Sequence, residues 1–243
     1  MLPEFKDLWQ STLGWFPSPQ QQQQFEQLYQ GMLKGNRQLN LTRITEPEAF
    51  WEKHLWDSLR GIFPLGLEAS TGFSVIDIGT GAGFPGFPCA IALPQAHVTL
   101  LDSRQKKITY LNTLISQLQL SQVRALAARV EALGKEPEHR ENYDFAFLRA
   151  VASAPVCAEY AFPLLKPGGI AVLYRGRWTE EEESQLNQAL TQLSGVIWKK
   201  EAFSTPLTSS DRHCLYLKKT EPTKKTFPRA VGVDYKEKLG KPN

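Results

Sequence analysis

A carboxylate set just ahead of closely spaced glycines can hold a cationic or nucleoside ligand, and residues 75–88, VIDIGTGAGFPGFP, contain that arrangement. Asp77 stands two residues before Gly79, and more glycines follow at 81, 83 and 86. Glycine lets backbone approach a ligand closely because no Cβ intervenes. Asp102 closes the apolar run HVTLLD, where a second strand should end and where a ribose-binding carboxylate belongs. Gly81–Ala82–Gly83–Phe84–Pro85–Gly86 also satisfies the dinucleotide pattern GxGxxG, a weak signal alone. Two features favour a sulfonium cofactor over a pyrophosphate. Asp77 would attract a cationic amino-acid end and repel phosphate. Pro85 and Pro88 remove N–H donors from the loop and first helical turn. S-adenosylmethionine is therefore the expected cofactor, and an NAD-linked Rossmann oxidoreductase is the alternative.

The elements that must position these groups are legible as two regions. Residues 1–70 read as an N-terminal helical subdomain. Ser18–Pro19 forms an N-cap and first-turn pair, followed by Phe25, Leu28, Tyr29, Met32 and Leu33 at helical spacing. The glutamines at 20–24 read as solvated surface. Thr45 with Glu48 resembles a capping box for a second helix carrying Phe50, His54, Leu55, Leu59 and Ile62. Residues 66–72 form a linker. From there strand and helix alternate: strands at 74–79, 97–102, 123–129, 144–149 and 170–175, helices at 84–93, 104–119, 153–165 and 179–193. Strands separated by helices of this length predict a parallel sheet with right-handed crossovers. The last two strands, 196–203 and 214–219, have no helix between them and predict an antiparallel edge hairpin. The expected fold class is α/β: a Rossmann-like, mostly parallel seven-stranded sheet over 71–219, of the class I S-adenosylmethionine-dependent methyltransferase type, plus N-terminal helices and a basic tail over 220–243.

Composition narrows the setting. The chain has 243 residues, 42% of them apolar, enough for a sizeable core. No apolar run is long enough for a membrane span, and the N-terminus lacks a secretory h-region. Cys89, Cys157 and Cys214 are far apart and form no CxxC pair, which suits a reducing cytoplasm. The four histidines, His54, His97, His139 and His213, show no ligand spacing, so no metal site is expected. The net charge is +3, but residues 218–243 carry +5 and the remainder −2. A basic tail on a near-neutral body predicts a polyanionic partner.

With these segments in view, the chain resembles the RsmG (GidB) family of bacterial small-subunit ribosomal RNA guanine-N7 methyltransferases. The resemblance is carried by NLTRI (40–44), HLWDSL (54–59), VIDIGTGAGFPGFPCAIALP (75–94), LLDSRQKKITYL (100–111), RVE (129–131), FLRAVAS (147–153) and the tail segment FPRAVG (227–232). It implies methyl transfer from S-adenosylmethionine to N7 of one guanine in 16S rRNA, a cytoplasmic location and action on the small ribosomal subunit; a monomer is expected. Position by position, it implies that Gly79 lies under the cofactor with Phe84 beside it. Asp102 would take the ribose hydroxyls, with Ser103 and Arg104 next to it, and Val130 and Glu131 would flank the adenine. Arg149 would face the methionine end or the incoming base. His54 and Asp57, three apart and so on one helix face, either shape the mouth of the site or tie the N-terminal helices to the sheet. Two positions depart from the family pattern: Arg175–Gly176 stands where a lysine is expected before the glycine, and Ala82 where many members have proline.

Guanine N7 carries a lone pair and no proton, so the reaction needs alignment and water exclusion, not a general base. The chain lacks the NPPY-type motif of amino-group methylation, and Pro88–Cys89 falls in the first helix, away from where a covalent thiolate would act. RNA contacts are expected from Arg104, Lys106, Lys107, Arg149, Arg175, Arg177 and the tail, with Phe84, Tyr174 or Trp178 as stacking candidates. A non-catalytic RNA-binding module on the same fold is the third reading.

Overall fold

The computed structural model describes residues 1–67 and 69–230. Helix α1 (Lys6–Leu13) leads into α2 (Pro19–Leu39), which Ser18 starts with a complete capping box to Gln21 and Asn40 ends in the left-handed conformation. The next helix is broken into three: α3 (Pro47–Phe50), a π-helix (Trp51–Trp56) and α4 (Asp57–Arg60). Its N-cap is Glu46, with Pro47 in the first turn and no side-chain cap, so the expected Thr45/Glu48 box does not form. The Thr45 carbonyl instead accepts a hydrogen bond from Tyr29 Oη at 2.7 Å.

The sheet contains β1 (Phe73–Ile78), β2 (Ala96–Asp102), β3 (Val123–Ala127), β4 (Tyr143–Arg149), β5 (Leu165–Arg175), β6 (Gly195–Ser204) and β7 (Asp211–Lys219), in the spatial order β3-β2-β1-β4-β5-β7-β6. The first five strands are parallel, and β7 and β6 run antiparallel at one edge. Helices α5 (Gly86–Ala92), α6 (Gln105–Gln117), α7 (Val130–Leu133), α8 (Ala154–Ala161) and α9 (Glu180–Leu193) make the crossovers. Three elements differ most from expectation: helix α7 is not among the expected helices, and it begins just past the early end of β3 at Ala127. Helix α8 stops at Ala161: the Phe162 N–H still bonds the Ala158 carbonyl, but Pro163 has no N–H to continue the ladder. The Lys166–Pro167–Gly168–Gly169 stretch is taken into β5 with a register shift opposite Tyr143 and Phe145, rather than standing outside the strand as a turn.

Alternate residues of each strand face opposite layers, so both faces are apolar. Val75, Val98, Leu100, Phe147 and Tyr216 belong to one core cluster with α5, α6 and the N-terminal Trp9, Phe25, Met32 and Trp51. Ile76, Ile78, Leu101, Leu148 and Leu215 belong to the other, with α7, α8 and α9. The N-terminal helices therefore share a core with one face of the sheet. Two of the glutamines expected to be solvated stitch this layer together. Gln21 Nε2 donates to the Ile91 and Ala92 carbonyls, and Gln24 Nε2 to Leu118, satisfying the open ends of α5 and α6.

Candidate cofactor site

The strand order reverses between β1 and β4, and the crevice outside the carboxyl ends of the strands at such a point is where open α/β sheets bind ligands. A cavity of about 270 Å³ lies there, lined by Gly79, Asp102, Ser103, Val130, Glu131, Val151 and Tyr160 among others. Gly79 has φ +68° and is exposed, and a Cβ on it would lie 2.9 Å from Val151 Cγ2, so only glycine fits both backbone and neighbour. The loop is held from two sides. Asp102 Oδ2 accepts from the Gly81 N–H at 3.1 Å, and its Oδ1 accepts from the Arg104 N–H at 2.9 Å. Lys107 Nζ stands 3.6 Å from Asp102.

Asp77 lies beneath this loop, not on the cavity wall. It is 1% exposed, and its Oδ2 accepts from Thr80 Oγ1 at 2.6 Å and from the Gly86 N–H at 2.8 Å. Gly86 is required here, because a Cβ would meet Asp77 Oδ2 at 2.9 Å and Leu100 Cδ2 at 2.2 Å. Burial pushes the Asp77 carboxyl up to about 6 despite these two donors. Asp77 Oδ1 is buried without a hydrogen-bond partner, a group that a cationic ligand or water must satisfy.

Next to it, a second cavity of about 470 Å³ is lined by Ile44, Lys53, His54, Asp57, Arg149, Tyr174, Arg175, Arg177 and Arg212. The chain between β4 and α8 separates the two: Ala150, with φ +55°, lines the second, while Val151 and Ala152 line the first. Arg149 is fixed by the N-terminal helices. Its Nη1 donates to the Lys53 carbonyl at 2.7 Å and lies 3.5 Å from Asp57 Oδ2, and its Nη2 is 3.2 Å from His54 Nδ1. Since guanidinium only donates, His54 Nδ1 must accept and Nε2 carries the proton, 2.9 Å from Thr42 Oγ1. Burial first, then the charges of Arg149 and Lys53, press the His54 pKa down to about 3, so the ring is neutral. His54 and Asp57 thus both line the mouth and tie the helices to β4, by way of Arg149 and not through each other.

The expected cofactor residues divide accordingly. Gly79, Asp102, Ser103, Val130 and Glu131 are brought together on the first cavity. Arg149 lies on the second, and Arg104 lines neither. Phe84 is buried away from the first cavity, stacked on His54 at 4.3 Å and 9°, because α5 turns its ring into the helical layer. Tyr174, a stacking candidate, is buried with its hydroxyl on the Ser58 carbonyl at 2.8 Å, and Arg175 donates to the Ala152 carbonyl at 2.9 Å beside Trp178. Cys89 is buried in α5 and burial raises its pKa, so it is no thiolate. Tyr160, Lys53 and Arg212 were missed. Tyr160 sits mid-helix with no local motif, and Arg212 reaches Asp57 at 3.5 Å only through the β5–β7 pairing.

The model of the family described as rRNA small subunit methyltransferase G matches residues 21–214. The chain belongs to this family. A ribosomal RNA small subunit methyltransferase G of Nostoc sp. PCC 7120 is 56% identical over 236 residues, covering 96% of each chain. One of Nostoc punctiforme is 53% identical over 241 residues, covering 98% of this chain and 99% of its own. Family membership sets aside the NAD-linked alternative. Among solved structures, the [4+2]-cyclase SpnF matches with a TM-score of 0.55 at 15% identity, over 84% of this chain and 97% of its own. TYW2 of M. jannaschii, solved in complex with AdoMet, matches with a TM-score of 0.50 at 13% identity, over 67% of this chain and 76% of its own. These two share the fold with this chain.

Proposed function

We propose that the chain transfers a methyl group from S-adenosylmethionine to N7 of a single guanine in 16S rRNA, acting as a monomer in the cytoplasm. The observation that carries this is the pair of adjoining cavities: one at the glycine loop with a strand-end carboxylate, one ringed by Lys53, Arg149, Arg175, Arg177 and Arg212 against Asp57. The first, at about 270 Å³, is near the lower end of the ~300–1,000 Å³ common for small-molecule sites. In it Asp102 would hold the ribose, Val130 and Glu131 would flank the adenine, and the Gly79 backbone would serve the amino-acid end, with buried Asp77 holding the loop through Thr80 and Gly86. When bound, S-adenosylmethionine supplies a methyl group activated by its sulfonium.

The side chains here suit a reaction without a base. Guanine N7 has no proton to remove, and positive charge builds on the purine as the methyl arrives. A bare cation against that ring would oppose transfer. Arg149 stands beside the partition, and its charge is offset by the Lys53 carbonyl and Asp57. His54, held neutral, adds no second charge. Lys53 and Arg177, which make no ion pair among the described residues, are left to meet phosphates.

Incubating the chain with isotopically labelled cofactor and small subunits or 16S rRNA, then mapping the label by mass spectrometry, tests this. A single 7-methylguanine supports it. RNA binding with no transfer would favour the non-catalytic reading, and label at another atom would refute the N7 assignment.

A further inference from the structure

The segment after β7 was expected to be an extended basic tail. Within the described residues it is not. Residues 220–230 are fastened to the body, while the rest of the tail, including Val231 and Gly232 of FPRAVG, lies outside the described residues. Glu141 Oε1 accepts from Lys219 Nζ at 2.6 Å and from the Thr223 N–H at 2.8 Å. We propose that residues 223–229 form a clasp that holds one wall of the cofactor cavity, with Arg229 and Arg140 as positioning residues for cofactor binding; this rests on the cofactor reading of that cavity.

The wall in question consists of Val130 and Glu131 on α7 and Tyr160 on α8. Helix α7 is a single turn, too short to be stable by itself, so tertiary contacts must fix it. Arg140 does so at its C-terminal end. Its Nη1 donates to the Gly134 carbonyl at 2.8 Å and to Phe227 at 2.9 Å, and its Nη2 to Thr223 at 2.7 Å. Pro228 packs so closely on Gly134 that an added Cβ would lie 3.0 Å from its ring. Phe227 is buried in the same apolar cluster as Val130, Leu133 and Tyr160.

Helix α8 is gripped at the residue before Tyr160. Glu159 is 1% exposed, and Arg229 donates to its two oxygens from the backbone N–H at 2.8 Å, from Nε at 3.0 Å and from Nη2 at 2.7 Å. This is a two-pronged guanidinium–carboxylate contact reinforced by the main chain. Tyr160 in turn donates to Glu131 Oε1 at 3.4 Å, joining the two helices at the cavity. Neither Arg140, Glu159 nor Arg229 lines the cavity, so each acts through α7 or α8. Removing Arg229 leaves a buried carboxylate without its cation, a costly state relieved by protonation of Glu159 or by movement of α8 toward water, and in either case the grip on α8 is lost. Tyr160 would move with it. Both arginines are spent inside the body, which separates this role from phosphate binding by the tail.

The test uses the full chain. S-adenosylhomocysteine affinity is measured by calorimetry for wild type, Arg229→Ala and Arg229→Lys, alongside RNA affinity and thermal midpoints. For Arg229→Ala the dissociation constant should rise by at least about fivefold, while RNA affinity holds. KM for the methyl donor should rise with kcat at saturation within about twofold, the pattern of lost cofactor positioning. Arg229→Lys, which keeps the charge without the fork, should lie between. An unchanged S-adenosylhomocysteine affinity in Arg229→Ala overturns the clasp, whether RNA binding falls or only the thermal midpoint does. If Arg229→Ala does not fold, Arg229→Lys decides by the same criterion. If wild type itself binds no S-adenosylhomocysteine, the cofactor reading fails first and the clasp with it.

Discussion

His54 and Asp77 are buried on either side of the β1–β4 switch and titrate in opposite senses. The folded chain binds the His54 proton less tightly than the unfolded chain, since its pKa falls from 6.5 to about 3. Its contribution to stability is therefore present above pH 6.5 and lost as the pH falls below it. Asp77 is raised from 3.8 to about 6, so its contribution is present below the ordinary value and lost as the pH rises through 6. Single variants should expose each term in urea midpoints taken from pH 7 to pH 4.5. His54→Gln should remove a loss toward acid on the order of 2 kcal/mol, and Asp77→Asn should remove a gain of similar size. Parallel profiles for wild type and both variants would show that neither group titrates as its surroundings dictate.

The glycine loop meets the first cavity at Gly79, against Val151 of the partition. Gly79→Ala forces a Cβ into a left-handed backbone and against Val151, the residue at the partition between the cavities. It should cost about 1–2 kcal/mol of stability and weaken S-adenosylhomocysteine binding, both read from thermal shift and calorimetry. Unaltered binding would mean the loop does not approach the cofactor. This loop and the strand-end Asp102 were legible because glycine and a terminal carboxylate at that spacing have few other uses. The π-helix was not. Phe50, His54, Leu55, Leu59 and Ile62 satisfy a plain helical pattern, and the wider winding shows only in the hydrogen bonds, where the Asp57 N–H meets the Glu52 carbonyl five residues back. That widening decides which side chains meet Arg149. Phe84 was misplaced for a related reason: its position in the loop is clear from sequence, but the turn into α5 sends its ring toward His54.

Across the molecule, positive charge is not confined to the basic C-terminal segment. Arg229 is consumed in a buried ion pair, while the exposed positive field gathers at the second cavity from Lys53, Arg149, Arg175, Arg177 and Arg212. No window of sequence holds that cluster, because three strands and the π-helix bring it together. Arg177→Ala should weaken RNA binding alike for all sequences and reduce the slope of log K against log salt by about 1, leaving S-adenosylhomocysteine binding unchanged. An unchanged slope would place the phosphates elsewhere. The parallel strands and the antiparallel edge hairpin follow from the alternation of apolar runs and helices, and the strand ends leave a crevice beside β1, β2 and β3. The most direct check on that crevice is a crystal structure of the chain with S-adenosylhomocysteine. Density for the nucleoside beside Asp102, Val130 and Glu131, with the amino-acid end over Gly79, is the predicted result. A nucleoside bound in the larger hollow at the opposite ends of the strands, around Ser74, His97 and Arg124, would contradict it.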